Sequence, residues 1–231
     1  MSAGDCYTSV ICAILGGNVK ADVVDLRSNL AQNDRMQITR RLLITTLALA
    51  TLAGPAVANN LAGEPFAVSD QDQTKIPIWH RHQIVDFASG EVPGTVIVSP
   101  RHNFLYFVLG NGKAVRFGIG TGKYGDWAGV TVVGRMEKWP IWTPTKDHLT
   151  RRPDLIKYIN GMPGGLDNPM GARAIYLYDG RGDTSYRIHG TDVADHVGTK
   201  ATAGCFAMLN ADVIWLFERM KLGGKVIVLK E

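Results

Sequence analysis

Two stretches near the C-terminal end decide the fold and the chemistry: Tyr186-Arg-Ile-His-Gly-Thr191 and Thr202-Ala-Gly-Cys-Phe-Ala-Met-Leu-Asn210. The first is typical of a strand, and its alternation puts Arg187 and His189 on one face. In the second, Cys205 follows a glycine and precedes a helical pattern. A thiol near a helix start meets backbone amide donors, which predicts a lowered pKa and a place for an oxyanion. A nearby imidazole can take the thiol proton and later protonate a leaving amine.

The chain from Val92 onward alternates short apolar runs with turn signals. Asn111-Gly112 between two such runs predicts a hairpin. Many short strands with few helices predict a mainly β sandwich or barrel with one or two short helices. The strand candidates are Thr95–Val98, Phe104–Leu109, Ala114–Ile119, Val130–Val133, Ala174–Tyr178, Tyr186–His189 and Val226–Leu229.

Two helices are expected in this part of the chain. The clearer one is capped by Asn210 or Asp212, carries apolar residues at helical spacing as far as Met220, and ends at Gly223-Gly224. A shorter helix is predicted over 153–160. Residues 59–91 have weak periodicity and are interpreted as a linker or leader with a short strand at 76–79.

Composition limits the class of protein. The chain has 231 residues, of which 45% are hydrophobic and 20% charged, with a formal net charge of +4, so a globular fold is expected. The mild charge shows no clustered basic face, and no nucleic-acid partner is expected. Three cysteines are too few for a disulfide scaffold and do not form a zinc pattern, so no metal site is expected.

The region before residue 59 has the parts of an export signal. Met36-Gln-Ile-Thr-Arg-Arg41 is basic, 42–53 is apolar, and Gly54-Pro-Ala-Val-Ala58 offers a small-residue cleavage site. Residues 36–58 are therefore predicted to be a signal peptide, and 1–35 an upstream extension from a doubtful start site. The predicted protein is exported to the periplasm by the general secretory or the twin-arginine route, with no stable membrane anchor after cleavage. Cleavage would leave Cys205 as the one cysteine, and a lone thiol in an oxidising compartment suggests a reactive role.

His189-Gly190 followed by Thr202-x-Gly204-Cys205 resembles the L,D-transpeptidase (YkuD-type) catalytic domain, in which His-Gly on a strand precedes Ser/Thr-x-Gly-Cys. The resemblance extends over Val92 to Lys230, which places a catalytic domain at 92–231 with the YkuD-like sandwich or barrel. The other stretches that carry it are Gly161–Gly165, Asn168–Tyr178, Leu209–Val213 and Gly224–Leu229.

The resemblance implies roles for the motif residues. Cys205 would attack the carbonyl of the third residue of a peptidoglycan stem tetrapeptide, expelling D-Ala and forming a thioester. His189 would act as base and then acid, with the Gly190 carbonyl orienting its ring. The backbone amides of Gly204 and Cys205 would hold the oxyanion, with Thr202 as a further oxyanion or orienting residue. An acceptor amine would give a 3→3 cross-link and water a carboxypeptidase reaction. A carbapenem would acylate Cys205, and no cofactor is implied.

Two positions depart from the family pattern, because Ala207 stands where Arg or Asn is common and Ala203 where His or Ser is common. Arg187 or Arg173 could replace a missing arginine, and Tyr186, Arg187 and Trp142 are candidate substrate-binding residues. Two alternatives stay open. A sortase-like enzyme shares the order of His and Cys, although Thr202-Ala-Gly-Cys205 argues against it. A domain with weakened chemistry could instead only bind peptidoglycan.

Overall fold

A computed structural model describes residues 63–68, 70–122, 127–202 and 204–230. The predicted signal peptide, the stretch before it, and Cys6 and Cys12 lie outside the described residues. Within those residues, no helix is long and apolar enough to cross a membrane.

Nine strands lie in the part of the chain that the structure describes, and they form one sheet. The strands are β1 (Gln83–Asp86), β2 (Val96–Ser99), β3 (Phe104–Gly110), β4 (Lys113–Gly118), β5 (Gly129–Lys138), β6 (Arg173–Asp179), β7 (Gly182–His189), β8 (Phe206–Ala207) and β9 (Lys225–Val228). Their order in the sheet is β1-β4-β3-β2-β9-β5-β6-β7-β8. Most neighbours are antiparallel, while β2 with β9 and β7 with β8 are parallel. This confirms the mainly β prediction.

The sheet closes on itself beside the stretch that carries Cys205. The chain continues from β4 to Gly120, which forms an antiparallel bridge with Ala207 of β8. Two backbone hydrogen bonds, of 2.8 and 2.9 Å, join these two residues. The structure is therefore barrel-like, and its seam lies two residues from Cys205.

The hairpin between β3 and β4 forms at the predicted turn. Asn111 and Gly112 have φ values of 52° and 68°, the left-handed geometry that a two-residue hairpin turn requires. The strands on either side bury one apolar core. All four residues of β2 are buried, as expected for a strand covered on both faces. The core includes Val96, Leu105, Phe117, Ile175, Leu177, Ile188, Met208, Leu216 and Val226.

The helices differ from the sequence prediction in extent. Helix α1 (Lys146–Arg151) was not predicted, although Thr145 and His148 form a capping box at its start. The segment predicted as a short helix over 153–160 is a 3₁₀ helix at Pro153–Tyr158. Helix α2 (Asn210–Phe217) ends before Met220, and its N-cap is Leu209 with no side-chain cap. The prediction of an Asn210 or Asp212 cap was wrong, because both side chains bond to other segments.

The segment before residue 92 packs onto the barrel. The strand predicted at 76–79 was wrong, since Ile78–His80 is a 3₁₀ helix and the strand of this region is β1, paired with β4. A second 3₁₀ helix covers Asp70–Lys75. Val68 and Ile76 are 2% and 3% exposed, so part of the expected linker is buried, in two small apolar clusters separate from the main core.

Candidate active site

The loop before β8 is folded tightly around the Thr202 side chain. The Thr202 hydroxyl donates to the carbonyl oxygen of Cys205 at 2.6 Å, and the Gly204 N–H donates to the hydroxyl at 3.3 Å. The Thr202 N–H is held by the Thr121 carbonyl at 3.1 Å. Thr202 therefore fixes the backbone on both sides of Gly204 and places Cys205 at the start of β8.

Two glycines allow the loop to approach its neighbour. A Cβ on Gly122 would lie 2.5 Å from the Gly204 Cα, so the two backbones touch and no side chain fits at Gly122. A Cβ on Gly204 would lie 3.7 Å from the Tyr186 ring. The close approach sets the path of the segment that carries Cys205.

His189 lies at the end of β7, and one ring nitrogen is held by the backbone. Its Nδ1 lies 2.5 Å from the Gly190 carbonyl oxygen, and the residue is 7% exposed. Because a carbonyl oxygen can only accept, Nδ1 carries the proton. In the neutral ring, Nε2 is then an acceptor that can take a proton from a thiol or an amine.

The parallel pairing of β7 with β8 brings His189 and Cys205 into one region. Ile188 pairs with Phe206 and His189 with Ala207, so Cys205 lies one residue before the paired segment. The backbone of Arg187, two residues before His189, lowers the pKa of the Cys205 thiol. The two residues predicted from sequence thus lie on or next to adjacent strands.

Burial governs the protonation of both groups. Burial raises the pKa of the Cys205 thiol, and the Arg187 amide and charge offset this only in part. Burial also lowers the pKa of His189 to about 4, against the opposing effect of its bond to Gly190. The expectation of a lowered thiol pKa at a helix start was wrong, because Cys205 precedes a strand and α2 begins only at Asn210. Near neutral pH the pair consists of a thiol and a neutral imidazole.

Arg187 is already engaged by the protein. Its guanidinium bonds both carboxylate oxygens of Asp183, at 3.1 and 2.9 Å, and lies 4.8 Å from the centre of the Tyr176 ring. The same charge lowers the pKa values of His189 and Cys205. Arg187 thus provides positive potential at the site while Asp183 fixes its position.

Tyr186 packs beside the Cys205 loop. Its ring stacks on Trp127 with centroids 4.7 Å apart and lies near Phe206 at 6.1 Å. The contacts of Trp142 are elsewhere. Its backbone pairs with Met162, and its ring lies 5.3 Å from that of His148. Among the described contacts none joins Trp142 to the His189 and Cys205 pair.

Position 207, where the family pattern has Arg or Asn, is occupied by a buried alanine, and Arg173 does not take over its role. Ala207 is 1% exposed at the seam with Gly120. Arg173 is fully buried, forms an ion pair with Glu64 and lies 5.3 Å from the centre of the Phe217 ring. The suggestion that Arg173 replaces the missing residue was therefore wrong.

The described ranges contain no group of three His, Cys, Asp or Glu side chains placed to hold a metal ion. Cys205 is a free cysteine.

Comparison with known proteins identifies the family of the chain. The sequence model of the YkuD family, the L,D-transpeptidase catalytic domain, matches residues 93–228. The chain belongs to this family. The matched region contains the closed sheet from β2 to β9 together with His189 and Cys205.

Curated relatives carry the same family name. The probable L,D-transpeptidase YbiS of Escherichia coli K12 is 34% identical over 144 residues, covering 60% of this chain and 45% of that protein. The putative L,D-transpeptidase YqjB of Bacillus subtilis 168 is 31% identical over 156 residues, covering 66% and 78%. The present chain thus spans less than half the length of YbiS.

Solved structures include one with a different name. A probable carnitine operon oxidoreductase CaiA from Brucella melitensis is 41% identical, with 68% of this chain and 98% of that chain covered and a TM-score of 0.46. That name describes the Brucella protein. The family of the present chain follows from the match to the domain model.

Two features of the site were missed by sequence reasoning. Asn210 bonds to segments next to Gly190, and Glu64 contacts both Trp139 and Arg173. An asparagine before an apolar helix looks like a cap, and a glutamate in a polar leader looks solvated. Neither pattern signals a long-range partner.

Proposed function

We propose that this protein is a cysteine L,D-transpeptidase acting on peptidoglycan stem tetrapeptides. The observation that carries the proposal is the Nδ1–H bond of His189 to Gly190, which leaves Nε2 as an acceptor on the strand beside Cys205. Membership of the YkuD family supports the reaction class.

In the first half-reaction Cys205 Sγ attacks the carbonyl carbon of the third stem residue. His189 Nε2 takes the thiol proton, and the carbonyl electron pair moves to oxygen. When the tetrahedral intermediate collapses, the bond to the terminal D-Ala nitrogen breaks and the imidazolium gives that nitrogen its proton. The products are free D-Ala and an acyl thioester on Cys205.

In the second half-reaction an acceptor attacks the thioester. An amine of a second stem loses its proton to His189 Nε2, the C–S bond breaks, and the proton returns to Cys205 Sγ. The product is a 3→3 cross-link and the free enzyme. Water in place of the amine would yield a tripeptide, which is the carboxypeptidase alternative.

Backbone donors of the Cys205 loop would stabilise the oxyanion in both halves. The Gly204 N–H makes a long 3.3 Å bond to the Thr202 hydroxyl, and a developing negative charge is the stronger acceptor. The fixed positive charge of Arg187 adds to this stabilisation. Gly204 and Thr202 thus belong to the proposed catalytic loop, and Tyr186 to its wall.

The experiment is incubation of the purified chain with a disaccharide tetrapeptide, followed by mass spectrometry. The proposal predicts loss of D-Ala, a cross-linked dimer, and an acyl adduct on the peptide containing Cys205. Cys205→Ser should lack the adduct and the products. Tripeptide without dimer would identify a carboxypeptidase. Binding without any product would identify a peptidoglycan-binding domain and contradict the proposal.

The proposed location is the periplasm, with residues 36–58 as the export signal and 92–231 as the catalytic domain. The support is the basic, apolar and small-residue order of 36–58 and the location of peptidoglycan outside the cytoplasmic membrane. Replacing Arg40 and Arg41 by lysine should block export by the twin-arginine route and spare the general secretory route. Fractionation of the two strains distinguishes these routes.

A further inference from the structure

The peptide that orients His189 is itself held in place from outside the motif. The Gly190 N–H donates to the Arg173 carbonyl at 3.0 Å, which fixes one side of the residue. On the other side the Asn210 Nδ2 donates to the Thr191 carbonyl at 3.1 Å. The Gly190 carbonyl that accepts from His189 lies between these two bonds.

The Asn210 side chain has one possible orientation. Its Oδ1 accepts from the Ala172 N–H at 2.8 Å, and its Nδ2 faces the Thr191 carbonyl. An amide N–H can only donate and a carbonyl can only accept, so a flipped side chain would lose both bonds. Asn210 is 6% exposed, and an unmade bond there would leave buried polar groups without partners.

Two glycines make room for this side chain. A Cβ at Gly171 or at Gly190 would lie 2.2 Å from Asn210 Oδ1, which is well inside van der Waals contact. Gly171 has a φ of 59°, a conformation that favours glycine. The side chain of Asn210 is therefore enclosed between the start of β6 and the end of β7.

We propose that Asn210 is a positioning residue for His189. Asn210 holds the Thr191 carbonyl, in the peptide that follows Gly190–Thr191, and its Oδ1 packs against Gly190. These two contacts restrict rotation of the Gly190–Thr191 peptide and keep the Gly190 carbonyl aimed at Nδ1. The bond from Nδ1 in turn keeps Nε2 free of a proton. Asn210 thus sets the tautomer of the base from helix α2 without contacting the ring. The inference rests on the proposed role of His189 and extends it.

The experiment uses the full chain labelled with nitrogen-15 histidine, with the His189 signal assigned from His189→Gln. Spectra are recorded above the ordinary histidine pKa of about 6.5, where the ring is neutral. Wild type should show the Nδ1–H tautomer, and Asn210→Ala a substantial Nε2–H fraction. Acylation of Cys205 by a carbapenem should slow by about 100-fold in this variant, as expected for a displaced catalytic group.

Two further variants separate positioning from stability. Asn210→Asp keeps the acceptor for the Ala172 N–H but removes the donor to Thr191, so it should fold and show the same change of tautomer. Asp212→Ala is the matched control, because Asp212 is buried in the same helix and also bonds two side chains, His82 and Gln73. This control should unfold at lower temperature but keep the wild-type tautomer and rate.

The outcomes are distinct. A wild-type tautomer and rate in Asn210→Asp would overturn the positioning role, as would an equal change in Asp212→Ala. Failure of the wild type to become acylated would overturn the proposed function instead, while the tautomer of His189 would still test the role of Asn210.

Discussion

At the scale of single residues, burial determines the protonation states of the proposed catalytic pair. Cys205 is held as a thiol and His189 as a neutral imidazole, so in the proposed mechanism the proton moves during attack rather than before it. Enzymes with a preformed thiolate and imidazolium place their cysteine where positive charge outweighs burial. Here Arg187 offsets the burial of Cys205 only in part.

The pH dependence of acylation follows from these pKa values. Since the pKa of His189 is lowered to about 4, the base is available throughout the weakly acidic and neutral range. The rate of Cys205 acylation should show no inflection near the ordinary histidine pKa of about 6.5. Stopped-flow rates across that range test this. An inflection of the rate at about pH 6.5 would contradict this prediction. Thiolate absorbance at neutral pH that disappears in Cys205→Ser would contradict the thiol state of Cys205.

Stability should also depend on pH through His189. A buried histidine with a folded pKa of about 4 stays neutral when the unfolded chain binds a proton near pH 6.5. Its contribution is present above about pH 6.5 and is lost as the pH falls toward 4, at most about 3 kcal/mol. His189→Gln should flatten this part of the denaturation curve, with His102→Gln as control. An unchanged slope in His189→Gln would contradict the prediction.

Gly190 is constrained by its neighbour rather than by its own φ. A Cβ there would lie 2.2 Å from Asn210 Oδ1 and 2.9 Å from the Ala172 nitrogen. Gly190→Ala should therefore displace the carbonyl that holds His189 and abolish acylation at a fold still visible by circular dichroism. Gly180→Ala, in a turn where the added Cβ meets nothing within 4 Å, is the control and should be active. Full activity of Gly190→Ala would refute this.

At the scale of elements, the leader segment stabilises the start of β6. Glu64 pairs with the fully buried Arg173 and accepts from the Trp139 indole at 2.8 Å. The Arg173 side chain lowers the pKa of Glu64, which agrees with an ion pair. The Arg173 carbonyl binds Gly190, so this contact lies next to the site.

Breaking that ion pair should be costly. Glu64→Gln leaves the buried Arg173 guanidinium without its countercharge, and a loss of about 3 kcal/mol in the free energy of unfolding is expected. Urea denaturation measures it. Asp154→Asn, which breaks the exposed pair with Arg152, is the control and should leave the unfolding midpoint unchanged. Equal effects of the two substitutions would contradict the assignment.

The seam of the barrel explains why Ala207 cannot be exchanged for the arginine common in the family. Ala207 is 1% exposed, and a Cβ added at Gly120 would lie 3.5 Å from the Cβ of Ala207. Ala207→Arg should therefore destabilise the fold by about 2 kcal/mol or more and should not increase activity. Thermal unfolding and acylation rates test this. A more active variant of unchanged stability would show that the position has room for a long side chain.

At the scale of the whole molecule, the sequence predicts most strands because their signals are local. Asn111-Gly112 and the apolar runs depend on neighbours within the hairpin. The closure between Gly120 and Ala207 and the long-range bonds of Asn210 could not be inferred, because they join segments far apart in the chain. His189 and Cys205 could be proposed as a catalytic pair from the sequence because a reactive motif is itself local. The direction of the Cys205 pKa shift could not be predicted, since burial is a property of the complete fold.

The most direct test of the central claim is the mass of the peptide containing Cys205 after incubation with a disaccharide tetrapeptide. The proposed mechanism predicts an acyl adduct equal to the donor minus D-Ala, present in wild type and absent in Cys205→Ser. In His189→Gln the adduct should form more slowly by about 100-fold or more. An adduct on another residue, or products formed equally by Cys205→Ser, would contradict the mechanism.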